Sequence, residues 1–95
     1  MPAQMVTYAL KKGARAKGDR AIRSFLRAIR SKEKGRTQVY EAFRFPNSFQ
    51  YVHLMVFKDS PAEKAHRDAP HTQKFVDALY PMCLNPPVFT RLSRL

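Results

Sequence analysis

The sequence has one cysteine, no tryptophan and only three glycines. The one cysteine, Cys83, cannot close a disulfide within the chain, which excludes a small disulfide-framework protein and favours a reducing, cytoplasmic setting. Long apolar runs are also missing. The longest near the start is Met5–Leu10, which is too short for a secretory signal or a membrane span. We therefore expect neither a secreted miniprotein nor a membrane protein.

Length is limited as well, because 95 residues leave room for a single domain, which we place at residues 1–95. The apolar share of 44% is ordinary for a folded domain and too high for a disordered chain. A domain of this size buries only about two-thirds of the surface of its unfolded chain. A second subunit would therefore add to its core.

Acidic residues are scarce. The chain has 7 Asp and Glu against 18 Lys and Arg, so its net charge is +11, and most of the excess lies between Lys11 and Arg36. Such a block can attract anions through its summed field. Five of its members nevertheless follow the spacing of an exposed helix stripe, with no aromatic residue among them to stack on bases: Arg20, Arg23, Arg27, Arg30 and Lys34. We expect a solvated face without specific nucleic-acid binding, and attraction of an anion is the alternative.

Apolar spacing and turn residues predict the order β-α-β-β-α-β. This is the ferredoxin-like α+β arrangement with a four-stranded antiparallel sheet. The predicted strands are Met5–Leu10, Thr37–Phe45, Phe49–Phe57 and Val88–Leu95. The first helix is predicted to run from an N-cap at Asp19 to about Lys34, with Gly35 as its stop.

The second helical region has its own start and stop signals. Ser60 is the predicted N-cap, and Glu63 is placed to close a capping box with it. The helix should end near Asp68, because Pro70 disfavours helical geometry in the residue before it. A further helical piece is expected from about His71.

The strand Phe49–Phe57 carries apolar side chains on both faces. One face holds Tyr51, His53, Met55 and Phe57, and the other holds Val52, Leu54 and Val56. One face can pack on the helices, while the other needs a cover that a lone chain of this size can hardly supply. We predict a homodimer in which Tyr51, Met55 and Phe57 pack against the sheet of a second copy.

Several segments between Val39 and Leu95 carry a resemblance to a known family. They are Val39-Tyr40-Glu41, Tyr51–Asp59, Ala65-His66 followed by Pro70-His71, and Phe75 with Leu79-Tyr80-Pro81. Together they resemble the antibiotic biosynthesis monooxygenase family, and the Ala-His and Pro-His pairs are the most specific of them. The resemblance implies a dimeric α+β barrel in which two sheets face each other. It also implies cofactor-independent oxygenation of a small phenolic, quinol or polyketide-like substrate by dioxygen.

Three histidines are the candidate bases for that chemistry, since histidine titrates near neutrality and a phenol must lose a proton. His66 shares a helix face with the small residues Ala62 and Ala65. By resemblance it occupies the family's pocket histidine, and we expect it to be the catalytic residue. His71 either caps the next helix or faces the pocket, and His53 is either a hydrogen-bonded core residue or a pocket residue. We expect four residues to contact the substrate: His71, His53, Tyr51 and Phe57.

Motifs for other chemistries are missing. His66 and His71 do not have the i, i+4 spacing of two ligands on one helix, so we expect no metal. No glycine-rich phosphate loop and no Gly-x-Ser-x-Gly motif occurs, so we expect no cofactor and no hydrolase triad. Within the resemblance, haem degradation is the weaker activity, because the chain has no tryptophan and no asparagine in the first strand. The alternative from a different class is a non-catalytic protein of the same fold that binds a small molecule or an anion.

Overall fold

Four strands form one antiparallel sheet in the order β2-β3-β1-β4, and three helices pack on one of its faces. The computed structural model describes all residues, 1–95. The elements are β1 Ala3–Ala9, α1 Arg15–Lys32, β2 Thr37–Arg44, β3 Gln50–Phe57, α2 Ser60–Asp68, α3 Pro70–Leu79, a short 3-10 turn at Tyr80–Met82, and β4 Val88–Leu92. The predicted α+β ferredoxin-like fold is confirmed, with α2 and α3 together forming the second helical element of the β-α-β-β-α-β order. Strand β4 ends three residues before its predicted end at Leu95.

Helix α1 begins at Arg15, which is earlier than the sequence predicts. Asp19 therefore lies inside the helix, and its assignment as the N-cap was wrong. Its carboxylate accepts hydrogen bonds from the Tyr51 hydroxyl at 2.6 Å and from the Arg44 guanidinium at 2.5 Å. Partners on the sheet, rather than the N–H groups of its own helix, explain why an aspartate stands at this position.

The N-cap of α2 is Asp59, one residue before the predicted Ser60. The Asp59 carboxylate accepts from the backbone N–H of Ala62 at 2.9 Å, which satisfies one of the free donors of the first turn. The predicted capping box is not formed. Glu63 instead turns inward and accepts from the Arg91 guanidinium at 2.7 Å.

The two faces of β3 have the opposite roles from those predicted. Tyr51, Met55 and Phe57 are buried within the chain, where they belong to the core shared with the helices. The prediction that these three residues meet a second copy was wrong, because the helices already cover them. The open face is the other one, with Leu54 at 36% exposure beside the exposed Phe43 of β2.

The exposed stripe of α1 agrees with the sequence. Its basic residues face away from the sheet and are all exposed: Arg20, Arg23, Arg27 and Arg30. Lys34 is exposed as well, but it lies beyond α1, which ends at Lys32, two residues before its predicted end. Ile22, Phe25 and Ile29 cover the sheet on the opposite side of the same helix. No helix in the chain is long and apolar enough to cross a bilayer.

Candidate active site

A cavity of about 500 Å³ lies between the inner face of the sheet and the helices. Much of its wall is apolar and comes from both layers, including Val6 and Met55 on strands and Phe75 and Leu79 on α3. The polar residues on the wall fall into three groups: Tyr8, Tyr40, His53 and His66 on one side, Gln4, Glu63 and Arg91 at the β4 edge, and Arg67, Thr72, Gln73 and Tyr80 from the helices and the turn that follows them. An apolar chamber with a few convergent polar groups suits a small organic ligand.

Glu33, at the C-terminal end of α1, organises the buried histidines. It is 3% exposed. Its two carboxylate oxygens each lie 2.9 Å from His66 Nδ1, and it also accepts from His71 Nε2 and, at 2.5 Å, from the Thr37 hydroxyl. Burial alone would raise the pKa of this carboxyl, but the hydrogen bonds from His66, Thr37 and His71 outweigh it and lower the pKa to about 2. Glu33 is therefore ionised across the physiological range.

The ionised carboxylate selects one tautomer of His66. A carboxylate can only accept, so Nδ1 of His66 carries the hydrogen and Nε2 is the ring nitrogen without a partner in the protein. The imidazole lines the cavity and is held between Phe57 and Tyr40, with ring centroids 5.1 and 5.5 Å away. This is the arrangement of a general base whose orientation is set by an acidic neighbour.

A second buried group on the cavity wall is the hydrogen-bonded chain Tyr8–His53–Tyr40. The Tyr8 hydroxyl lies 2.7 Å from His53 Nε2, and the Tyr40 hydroxyl lies 2.9 Å from His53 Nδ1. Burial lowers the pKa of His53 to about 4, so its ring is neutral at pH 7. Burial also raises the pKa of both tyrosines, which keeps them protonated.

The predicted site residues fall into two groups. His66 and His53 line the cavity. His71, Tyr51 and Phe57 do not: His71 donates to Glu33, Tyr51 donates to Asp19, and Phe57 packs beneath His66. Neither expectation for His71 holds. No side-chain hydrogen bond caps α3, and His71 does not line this cavity.

The sequence did not single out Glu33, Tyr8 or Arg91 as site residues. Glu33 did carry a signal, since an acid at the C-terminal end of a helix opposes the helix dipole and needs a compensating partner. Tyr8 and Arg91 carried none. The positions of Tyr8 and Arg91 in the site depend on how β1 is aligned with β3 on one side and with β4 on the other. In that alignment Val6 of β1 pairs with His53 of β3 and with Phe89 of β4.

The expectation of no metal rested on sequence spacing, and the fold brings the ligand types together in another way. Ligand atoms of Glu33, His66 and His71 lie within 4.8 Å of one another. They come from three helices, and Pro70 starts α3 so that His71 returns toward α1. Two histidines and a carboxylate are ligands that zinc and iron accept. In this structure His66 Nδ1 and His71 Nε2 both donate to the Glu33 carboxylate instead.

The sequence profile of the antibiotic biosynthesis monooxygenase family matches residues 1–78. The chain belongs to this family. The match includes β1 and α1, so membership extends to the basic segment as well as to the part after Val39 where the resemblance is visible by residue.

Solved structures of this family share the fold. One antibiotic biosynthesis monooxygenase is 14% identical with a TM-score of 0.90, covering 100% of this chain and 99% of that chain. A proposed antibiotic biosynthesis monooxygenase from Caulobacter crescentus is 18% identical with a TM-score of 0.90, covering 99% and 89%. One from Nitrosomonas europaea, also a proposed member, is 15% identical with a TM-score of 0.89, covering 100% and 99%. No curated protein sequence matches the chain.

Proposed function

We propose that the protein is a cofactor-independent monooxygenase of a small phenolic, quinol or polyketide-like substrate, with His66 as the catalytic base. The observation that carries this proposal is the Glu33–His66 pair on the wall of a mostly apolar cavity. Glu33 holds the hydrogen of the imidazole on Nδ1, which leaves Nε2 to take the proton of a bound phenol. His53 lies on the same wall and contacts the substrate.

The residues outside the cavity support this site rather than contact the substrate. His71 and Thr37 donate to Glu33 and keep its charge and orientation fixed. The Phe57 ring packs against the His66 ring. Tyr51 stacks on Tyr8 with ring centroids 5.3 Å apart.

The reaction needs only the phenolate and dioxygen. Removal of the phenolic proton by His66 gives an anion that transfers one electron to dioxygen, and the resulting radical and superoxide combine to form a carbon–oxygen bond. The peroxide then loses water as its oxygen–oxygen bond breaks and the carbon gives up its hydrogen as a proton. One oxygen atom remains in the product and the other leaves in water, so a hydroquinone and one dioxygen give a hydroxyquinone and one water. An apolar chamber protects the radical pair from side reactions.

The test is oxygen consumption by the purified protein with a panel of hydroquinones, without flavin and in the presence of a metal chelator. We expect one molecule of water and one oxygenated product per dioxygen, with one atom of labelled dioxygen retained in the product. Ligand binding without oxygen consumption across the panel would favour the alternative, a non-catalytic binding protein of the same fold.

We also propose a homodimer, built on the open face of the sheet and working in the cytoplasm. The outer side chains of all four strands form a mostly apolar surface, and the strand register aligns them: Val39 and Phe43 on β2, Val52, Leu54 and Val56 on β3, Met5 on β1, and Val88 and Leu92 on β4. A surface of this kind is unusual on a monomer. The free thiol of Cys83 is buried, which suits a reducing compartment.

The variant Leu54→Glu is expected to convert the dimer to monomers, because it places a second negative charge beside Glu41, its cross-strand partner on β2, at the centre of the open face. Burial of a whole leucine side chain contributes about 1.5–3 kcal/mol. Leu54 is 36% exposed, so each copy gains about a third of that on association, and the variant adds the cost of burying a charge in each copy. Sedimentation or light scattering gives the mass, and Ser31→Glu on the exposed side of α1 is the control with the same added charge. A wild-type protein of monomer mass would overturn the proposed interface.

A further inference from the structure

The Tyr8–His53–Tyr40 chain has one hydrogen-bond donor more than it can use. A neutral histidine has one N–H and one nitrogen lone pair, so it donates to one tyrosine and accepts from the other. The tyrosine that donates to His53 has spent its hydrogen. The tyrosine that accepts from His53 still has its own O–H, and neither hydroxyl makes a second hydrogen bond to the protein.

That remaining O–H borders the cavity. Tyr8 and Tyr40 both line it, on neighbouring sides of His53. A donor facing an apolar chamber is costly to leave unpaired and favours a ligand acceptor. The His66 ring lies 5.5 Å from the Tyr40 ring, so the base and one of the two candidate donors border the same part of the chamber.

We propose that the Tyr8–His53–Tyr40 chain binds the oxygen of an ionised phenol, with whichever tyrosine accepts from His53 donating its hydroxyl to that oxygen. The class of ligand rests on the proposed function, while the surplus donor follows from the chain itself. Exchange of the His53 hydrogen between Nδ1 and Nε2 moves the free donor from Tyr40 to Tyr8. The chain can therefore present its donor at either of two places, depending on where the ligand oxygen lies.

Binding of two ligands of nearly equal shape tests this directly. The probes are 4-nitrophenol, at a pH where it is ionised, and 4-nitrotoluene, which has a methyl group in place of the phenolate oxygen. We expect the protein to bind the phenolate about 10- to 100-fold more tightly, as a hydrogen bond to a charged acceptor implies. Nitrophenolate absorbance reports binding of the phenolate, displacement of the bound phenolate reports binding of 4-nitrotoluene, and no oxygen needs to be consumed.

The variants Tyr8→Phe and Tyr40→Phe locate the donor. Because one hydroxyl points at the ligand and the other at His53, we expect one of the two variants to lose most of the phenolate preference and the other to keep most of it. Tyr80→Phe tests the other tyrosine hydroxyl on the cavity wall, which makes no hydrogen bond to His53, and a loss of the preference in that variant alone would also overturn the proposal. Equal binding of the two probes by the wild-type protein, or an unchanged preference in both variants, would overturn the proposal.

The tautomer of His53 gives a second measurement that needs no variant. Nitrogen NMR of the ring in the phenolate complex should show hydrogen on Nδ1 if the Tyr40 variant loses the preference, and on Nε2 if the Tyr8 variant does. A mismatch between the tautomer and the sensitive tyrosine would contradict the mechanism. Phenolate preference without oxygen consumption would support this inference and contradict the proposed oxygenase. Oxygen consumption without phenolate preference would contradict this inference and support the proposed oxygenase.

Discussion

The variant His66→Gln is expected to lower kcat for oxygen consumption by about 100- to 10,000-fold, which is the usual contribution of a general base. Glutamine keeps a hydrogen-bond donor for Glu33, so the fold and the cavity should survive, but it has no nitrogen that can accept a proton. The measurement is the initial rate of oxygen uptake with the best hydroquinone of the panel, together with the thermal unfolding temperature.

The matched control for this variant is His71→Gln. His71 also donates to Glu33 but does not line the cavity, so we expect a much smaller loss of kcat. Equal losses in the two variants would mean that the histidines act only by maintaining Glu33, and the assignment of His66 as the base would then fail.

Charge reversal at Arg23 and Arg27 on the exposed stripe of α1 should leave the rate of oxygen uptake largely intact. A large loss there would show that the stripe steers an anionic substrate.

The variant Glu33→Gln is expected to cost about 3–5 kcal/mol of folding free energy, as is typical when one member of a buried, charge-assisted cluster is removed. Such a loss is a large part of the roughly 5–15 kcal/mol by which a domain is stable. In the wild type, Thr37, His66 and His71 all donate to the Glu33 carboxylate. The NH2 group of a glutamine would face at least one of these donors in place of an acceptor. Asp77→Asn, at an exposed position of α3, is the control and should change the free energy of unfolding little. Chemical denaturation gives both values.

The same glutamate predicts how stability depends on pH. Its pKa is lowered from 4.5 to about 2 in the folded chain, so the unfolded chain binds the proton more readily. The contribution of Glu33 is therefore complete above its unfolded pKa and is lost as the pH falls from about 4.5 through 2. The difference in unfolding free energy between wild type and Glu33→Gln should shrink over that window. A constant difference down to pH 2 would contradict this prediction.

The fold was predictable because apolar spacing and turn residues agree along most of the chain. Tyr51–Phe57 is rich in strand-forming residues, and Asn47 adopts the left-handed geometry that asparagine tolerates in the turn before it. What alternation could not decide was which face meets the helices, since both are apolar. Asp19 and Glu63 misled for a related reason: each has the chemistry of a helix cap, but a tertiary partner from another element uses its carboxylate instead.

The site was predictable only where a residue had a recognisable chemistry of its own. His66 and His53 stood out as titratable groups in apolar surroundings. Glu33 lies 33 residues from His66 and 38 from His71, so only the packing of α1 against α2 and α3 brings them together. The surplus donor of the tyrosine chain likewise depends on two strand pairings that place Tyr8 and Tyr40 on either side of one histidine.

Strand β3 has a consequence for how this protein can evolve. Its odd-numbered residues from Tyr51 to Phe57 serve the cavity and core, and its even-numbered residues from Val52 to Val56 form the open face. Loss or gain of one residue before His53 in the strand would exchange the two sets, placing Leu54 or Val52 where His53 stands and exposing the histidine. Length changes should therefore accumulate in the turn around Asn47, while substitutions at alternate positions can change the cavity and the open face separately.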